Sequence, residues 1–265
     1  MISTLADIPL EEIHAAFVDA FSEYEIQIEM PLEKLQEMLR IRSCRLEYSL
    51  GYFDGGTLVG FFLVGFRQAD ECKRFYDVAT GVRREYQGKG IGDALLTKMK
   101  ELVVEHGGEE LVLEVLENNR GAQDLYRRHG FQTTRRLNCY EWTADRGDPS
   151  KASAAESPVN APELSALDTL PIATFCSFQP SWQNELQSYR NAPERFKVVV
   201  EYKGSVPTAY GIVHQENGNI LQLGIAPEER TVEQLTLLLR ILHASTASEV
   251  LRYPNVEVGR ALDAL

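Results

Sequence analysis

The stretch Val82-Arg-Arg-Glu-Tyr-Gln87-Gly88-Lys89-Gly90-Ile91-Gly92-Asp-Ala-Leu-Leu96 decides how the chain is read. Residues 74–82 before it have the character of a strand. After it, Ile91, Leu95, Met99, Leu102 and Val103 recur on one face at helical spacing, which predicts a helix over residues 90–105. A strand therefore passes through a glycine-rich turn into a helix. The first main-chain N–H groups of a helix have no partner within it, and the aligned peptide dipoles place about half a positive charge there. Without Cβ atoms, Gly88, Gly90 and Gly92 let a diphosphate approach that backbone closely, and no metal is required. Rival phosphate loops do not fit. No Lys-Ser/Thr pair follows a second glycine, and the glycines alternate instead of following G-x-G-x-x-G.

Working outward, Ile13, Ala16, Phe17 and Phe21 predict an amphipathic helix over residues 9–24, and Pro31 opens a second helix through Ile41. A short acidic segment with Glu23, Glu25 and Glu29 lies between them. Residues 46–53 and 57–66 read as a hairpin around Asp54-Gly55-Gly56, with a third strand at 74–82. Beyond the central helix, Gly107-Gly108 ends it and residues 110–116 read as a buried strand. Asn119 caps a helix running through His129, Gly130 is its C′ residue, and residues 131–142 form a last strand region with a break. This order of elements indicates an α/β layer structure.

A length of 265 residues suits two domains, and 44% apolar with 25% charged residues is the mix of a soluble globular protein. Residues 144–163 are dominated by Ala, Ser, Pro, Asp and Asn, which predicts a linker between a domain at 1–143 and a second at 164–265. The net charge of −12 works against phosphate backbones, so nucleic acid is not an expected partner, whereas a cationic amine is compatible. Cys44, Cys72, Cys139 and Cys176 are scattered, without C-x-x-C pairs or zinc spacing to the histidines. That pattern predicts reduced thiols, a cytoplasmic setting and no metal. Residues 1–13 lack a secretory signal, and the apolar run at 60–66 is too short to span a bilayer, so no membrane partner is expected.

Gln87, Gly90 and Gly92 fit the loop pattern Q/R-x-x-G-x-G/A. Thr80-Gly81-Val82 precede it, and Leu113-Glu114-Val115 with Asn119, Ala122, Tyr126, Gly130 and Phe131 follow. Together these residues resemble the two motifs of the GNAT superfamily of N-acetyltransferases, over residues 76–131, with the element order extending the likeness to 1–143. The resemblance implies a mixed, mostly antiparallel central sheet flanked by helices. It implies acetyl-CoA, or another acyl-CoA, as cosubstrate, its pyrophosphate on Gln87, Gly88, Lys89, Gly90, Ile91 and Gly92 and its pantetheine arm on Thr80, Gly81 and Val82. Asn119 is expected to cap its helix and touch the cosubstrate, as does Tyr126. The implied reaction moves an acetyl group to a primary amine by direct attack in a ternary complex. The acceptor is a small-molecule or peptide amine, and the resemblance leaves room for a homodimer.

A thioester is already activated, so transfer needs alignment, a neutral amine and a proton for the departing thiolate. By resemblance Tyr126 is the general acid, since a phenol with an ordinary pKa of about 10 is protonated at neutral pH, and main-chain N–H groups near Val82 are candidates to hold the oxyanion. For the base or amine anchor, Asp77, Glu114, a water chain and the acidic group Glu23, Glu25 and Glu29 remain open. Of Tyr76 and Asp77, only one should face the cleft. Cys72 and Cys139 have no nearby histidine in sequence, which argues against an acyl-enzyme, and His129 reads as a helix C-terminal residue favourable to the dipole. The competing class is a non-catalytic acyl-CoA sensor or interaction scaffold.

The second half carries an ungapped counterpart of the decisive stretch, Ile225 to Leu239, in which Thr231, Glu233 and Leu235 replace Gly88, Gly90 and Gly92. This predicts a degenerate GNAT-like domain with its cradle filled. Its aromatic and amide cluster at 178–184 either shapes an acceptor cleft or packs the domain.

Overall fold

The computed structural model describes residues 1–22, 30–69, 71–144, 167 and 169–258. The chain divides into two compact units, Met1–Gln132 and Thr133–Leu265.

The first unit contains β1 (Ile2–Thr4), α1 (Leu10–Ala20), α2 (Leu32–Ile41), β2 (Leu50–Asp54), β3 (Thr57–Ala69), β4 (Cys72–Val82), α3 (Ile91–Glu105), β5 (Glu110–Val112) and α4 (Arg120–Arg128). The strands form one sheet in the order β1-β2-β3-β4-β5, antiparallel except for the parallel β4–β5 pair. The expected mixed, mostly antiparallel sheet flanked by helices is therefore present. Gly55 and Gly56 both have positive φ, as a tight hairpin between β2 and β3 requires. Residues 58–59 and 61–64 of β3 are all buried, because both faces of this strand are covered. Phe61 stacks on Phe17 of α1 at 5.8 Å, whereas Phe62 and Val64 join Leu95 and Met99 of α3 in the main core cluster. That accounts for a continuous apolar run where a half-exposed strand would alternate.

Two irregularities shape β4. An extra residue, Val78, stands between the pairs Leu63↔Ala79 and Val64↔Asp77, so the strand bulges there. The parallel pairing with β5 ends at Tyr76↔Val112, while β4 continues to Val82 along β3 alone. Gly81 is needed in this continuation. A Cβ on it would lie 2.4 Å from Phe61 Cζ and 3.0 Å from Ala20 Cβ. Gly81→Ala should therefore destabilise the first unit by about 1–3 kcal/mol through overpacking; a denaturant midpoint equal to that of the parent chain would contradict the packing described.

Several sequence expectations need correction. The first hairpin strand starts at Leu50, since residues 46–48 form a turn, and β1 was not anticipated. Of the strand expected at 110–116, only Glu110–Val112 pairs, and Val115 and Leu116 are 37% and 40% exposed. Burial was inferred from apolarity, but no described strand lies against them. The acidic segment Glu23, Glu25 and Glu29 and the linker beyond Ala144 lie outside the described residues. The first domain was expected to extend to 143, but the division falls after Gln132 because β6 (Leu137–Trp142) hydrogen-bonds to β10 (Leu251–Glu257) of the second unit.

The second unit continues with α5 (Ile172–Phe175), α6 (Leu186–Asn191), β7 (Phe196–Lys203), β8 (Val206–His214), β9 (Ile220–Ile225) and α7 (Val232–Ala244), which precedes β10. β7, β8 and β9 form an antiparallel sheet. Trp182, Ser181 and Asn184 are buried, and Asn184 donates to the Pro254 carbonyl at 2.9 Å, so the 178–184 cluster packs this unit. The order β7-β8-β9-turn-α7 repeats β2-β3-β4-turn-α3 down to its irregularities. In each hairpin a bulge carbonyl accepts the N–H just after the third strand, Val59 from Arg83 and Thr208 from Ala226, both at 2.8 Å. Leu221 stands out of register on β9 as Val78 does on β4. At the register position of Asp77 the second unit has Ile220.

Candidate active site

The turn after β4 begins with a single 3-10 turn, Arg84–Tyr86, and reaches α3 through Gly88 and Gly90. Both glycines take positive φ, +74° and +78°, and a Cβ on either would meet nothing within 4 Å. The glycines are thus required by backbone conformation, and the space above them is open. Gly90 is the N-cap of α3, and no side chain caps that end. Among the described residues, the main-chain N–H groups from Gly88 to Asp93 make no turn or cap bond; the first such bond is Ala94 N–H to Gly90 C=O, 3.0 Å. In the second unit the equivalent helix end is closed, since the Thr231 hydroxyl accepts from Gln234 N–H at 3.1 Å. The residues of the first unit fit a diphosphate: donors lie at a dipole end, and among the described residues no atom lies within 4 Å of a Cβ placed on Gly88 or Gly90.

The side chains of the turn mostly support it. Gln87 donates to the Val82 carbonyl at 3.2 Å, and the Lys89 ammonium rests 4.6 Å from the Tyr86 ring centroid. Ile91 is buried in the core, so only its backbone can reach a ligand. Gly92 gives α3 room against Leu125 of α4, 3.3 Å from its notional Cβ. Asp93, in the first turn of α3, would repel a diphosphate. Hydrogen bonds from Arg128 and His129 hold its carboxyl below the ordinary range, and both partners lie within 3.2 Å. His129 is thereby engaged at the α4 terminus.

Where β4 and β5 part, a cleft of about 460 Å³ opens, lined by Thr80, Gly81, Val82 and Gln87 on one side and Leu116, Asn118 and Asn119 on the other. Asp19 and Ser22 from the end of α1 also line it. Sequence reading missed Asp19, whose carboxylate accepts from Arg84 N–H at 2.8 Å; a contact across 65 positions leaves no local signal. Asn119 does cap α4, its Oδ1 accepting from Ala122 N–H at 3.1 Å. At the other end Gly130, with φ +86°, closes the helix with Phe131 N–H bonded to Tyr126 C=O. Asn119→Ala should cost about 1 kcal/mol of stability, read as a lowered denaturant midpoint; an unchanged midpoint would show the cap to be dispensable.

Tyr76 and Asp77 point to opposite faces at the parting of the strands. The Tyr76 phenol donates to Glu114 Oε2 at 2.6 Å. Burial, reinforced by Glu114, pushes its pKa well up, so it stays protonated. Arg42, from the end of α2, donates to the bulge carbonyl of Val78 at 3.2 Å. Asp77 lies on the side of α4, where its Oδ2 accepts from both Tyr126 Oη and Thr80 Oγ1, each at 2.8 Å. Thr80 thus offers a ligand its main chain, not its hydroxyl. Asp77 is 6% exposed, and its Oδ1 has no hydrogen-bond partner among the described residues. Burial raises its pKa to about 6, against the pull of the Thr80 and Tyr126 hydroxyls. Because the folded pKa exceeds the unfolded one, Asp77 lowers stability as pH rises from about 4 to about 6, with no further change above. The stability of the parent chain relative to Asp77→Asn should fall by about 3 kcal/mol over that interval. A pH-independent difference would show that Asp77 does not titrate as described.

The buried Asp77 carboxyl is thus engaged by the Tyr126 and Thr80 hydroxyls, and the Glu114 carboxylate by the Tyr76 phenol. No cluster of three or more metal-ligating side chains occurs among the described residues, and no described helix is long and apolar enough to cross a membrane. Burial raises the thiol pKa of Cys44 to about 11 and also raises that of Cys176, which makes both poor nucleophiles.

The sequence profile of the acetyltransferase (GNAT) family matches residues 10–131. The N-alpha-acetyltransferase RimI of Mycobacterium tuberculosis is 39% identical over 112 residues, 38% of this chain and 68% of that protein. The N-alpha-acetyltransferase MAK3 of Arabidopsis thaliana is 34% identical over 88 residues, 33% of this chain and 46% of that protein. The mycothiol acetyltransferase of Corynebacterium efficiens is 35% identical over 89 residues, 34% of this chain and 29% of that protein. The chain thus spans less than half the length of the last two relatives.

Proposed function

From the premise that this chain belongs to the GNAT acetyltransferase family, we propose that its first unit transfers an acetyl group from acetyl-CoA to a primary amine by direct attack in a ternary complex. One observation carries the reading: an uncapped, glycine-bared helix terminus stands beside the split between β4 and β5. The main-chain N–H groups from Gly88 to Gly92 hold the pyrophosphate, and the edge of β4 from Thr80 to Val82 holds the pantetheine arm. Acetyl-CoA supplies an activated thioester carbonyl. The chain fixes that carbonyl against the acceptor nitrogen, and alignment of this kind is worth several kcal/mol. Tyr126 holds the proton that the departing sulfur needs.

The names of the relatives, N-alpha-acetyltransferases among them, support an amine acceptor of peptide or small-molecule type, and the net charge of −12 favours a cationic one. The second unit is read as a copy that keeps the strand and turn geometry and has lost the ligand: Thr231 caps its helix, and Ile220 stands where Asp77 does. The test is thiol release from acetyl-CoA against a panel of peptide amines, polyamines and aminoglycosides. Turnover with at least one amine is expected. Tight CoA binding without turnover across the panel would favour a sensor instead.

A further inference from the structure

We propose that Asp77 is the source of the proton that ends on the leaving sulfur, passed through Tyr126, so that the acid of this site is the Asp77–Tyr126 pair. The proposal rests on the acetyl-transfer reading and on the place of Tyr126 in it.

Asp77 is the only buried acidic residue among those described. Its Oδ2 receives two hydroxyl protons, from Tyr126 and Thr80. With Asp77 ionised, the single proton of Tyr126 points at the carboxylate. Its loss to a thiolate would set a phenolate 2.8 Å from a carboxylate, and in a desolvated site two such charges strongly oppose each other. In that state Tyr126 is a poor acid. With Asp77 protonated, the carboxyl O–H donates to the phenol oxygen, and the Tyr126 proton no longer has to point at Asp77. The bare Oδ1 favours the same state: a buried oxygen without a partner is tolerable on a neutral carboxyl and costly on a carboxylate.

The surroundings agree. From α4 Asp77 meets Tyr126, from its own strand Thr80, and its β3 register partner is the apolar Val64. Across the strand, Tyr76 is bonded to Glu114, whose charge does not favour a second anion nearby. The Arg42 guanidinium, whose charge acts on Tyr76, bonds the Val78 carbonyl. Burial already raises the proton affinity of Asp77, and an acyl carrier filling the cleft removes more water and acts in the same direction.

The step balances. The C–S bond breaks with its electron pair going to sulfur, sulfur takes the phenol proton, and the phenol oxygen takes the Asp77 proton. The surplus proton of the acceptor nitrogen goes to water, and water reprotonates Asp77 before the next turnover.

The test uses the full chain and three proteins: the parent, Asp77→Asn and Tyr126→Phe. The parent kcat should fall about tenfold per pH unit on the alkaline side of the Asp77 titration. Asparagine can hold the same hydroxyls without releasing a proton, so Asp77→Asn should lose at least about tenfold in kcat at low pH and lack that alkaline limb. Infrared titration without turnover should show a protonated-carboxyl band in the parent that persists to higher pH when CoA is added and is absent from Asp77→Asn. Parent-like kcat and pH profile in Asp77→Asn, or no such band in the parent, would overturn the proposal. If Tyr126→Phe turns over like the parent, the acid reading itself fails and this proposal with it. A slow Tyr126→Phe beside an unimpaired Asp77→Asn removes only the part assigned to Asp77.

Discussion

Gly90→Glu is expected to weaken CoA binding at least about 100-fold, a loss near 3 kcal/mol, in calorimetry on the full chain. Three effects add. A left-handed residue with a side chain is strained by about 1–2 kcal/mol at φ +78°. The new carboxylate stands at the helix terminus where the diphosphate has to sit. It also occupies, in its own favour, the dipole that the ligand would use. The substitution places at Gly90 the residue type that the ungapped sequence alignment sets opposite it, Glu233, although by helix cap the position equivalent to Gly90 is Thr231. Gly90→Ala separates the effects: its Cβ meets no atom within 4 Å, so only backbone strain remains and the affinity loss should be much smaller. Equal affinity in Gly90→Glu and the parent would mean that the diphosphate lies elsewhere.

Tyr126→Phe is expected to lower kcat by about 100- to 1,000-fold while the KM for acetyl-CoA changes little. The ring itself is structural. It meets Phe131 edge-on at 5.6 Å and packs on the cluster formed by α3 and the sheet. Phenylalanine preserves those contacts and removes only the hydroxyl, so a loss in kcat reports the proton. A loss confined to KM would make Tyr126 a binding residue, and parent-like turnover would remove its role as acid.

Much of this was legible in the sequence because the informative features are local. A strand, two glycines with positive φ and a helix with an apolar stripe lie within one continuous stretch, and the structure sets them out as the pattern predicts. The capping role of Asn119 and the C′ role of Gly130 were equally local. What the sequence did not disclose depends on partners far along the chain. Leu113, Val115 and Leu116 are apolar and predict a buried strand, but burial requires a neighbouring strand, and Leu137–Trp142 pairs instead with β10 in the second unit. Asp77 was visible as a titratable residue near the cleft. Its direction was not, because a bulge at Val78 and a helix 49 positions away set which hydroxyl it meets. The Arg42 contact with the bulge and the Asp19 contact with Arg84 were hidden for the same reason.

The most direct measurement is an amide-resolved NMR titration of the intact chain with CoA. The signals of Gly88 to Asp93, together with those of Gly81 and Val82, should shift in proportion to occupancy, while those of Thr231 to Leu235 stay in place. If the α3 amides remain unmoved as CoA binds, or the capped terminus in the second unit responds in their stead, the cradle assigned to the first unit is contradicted.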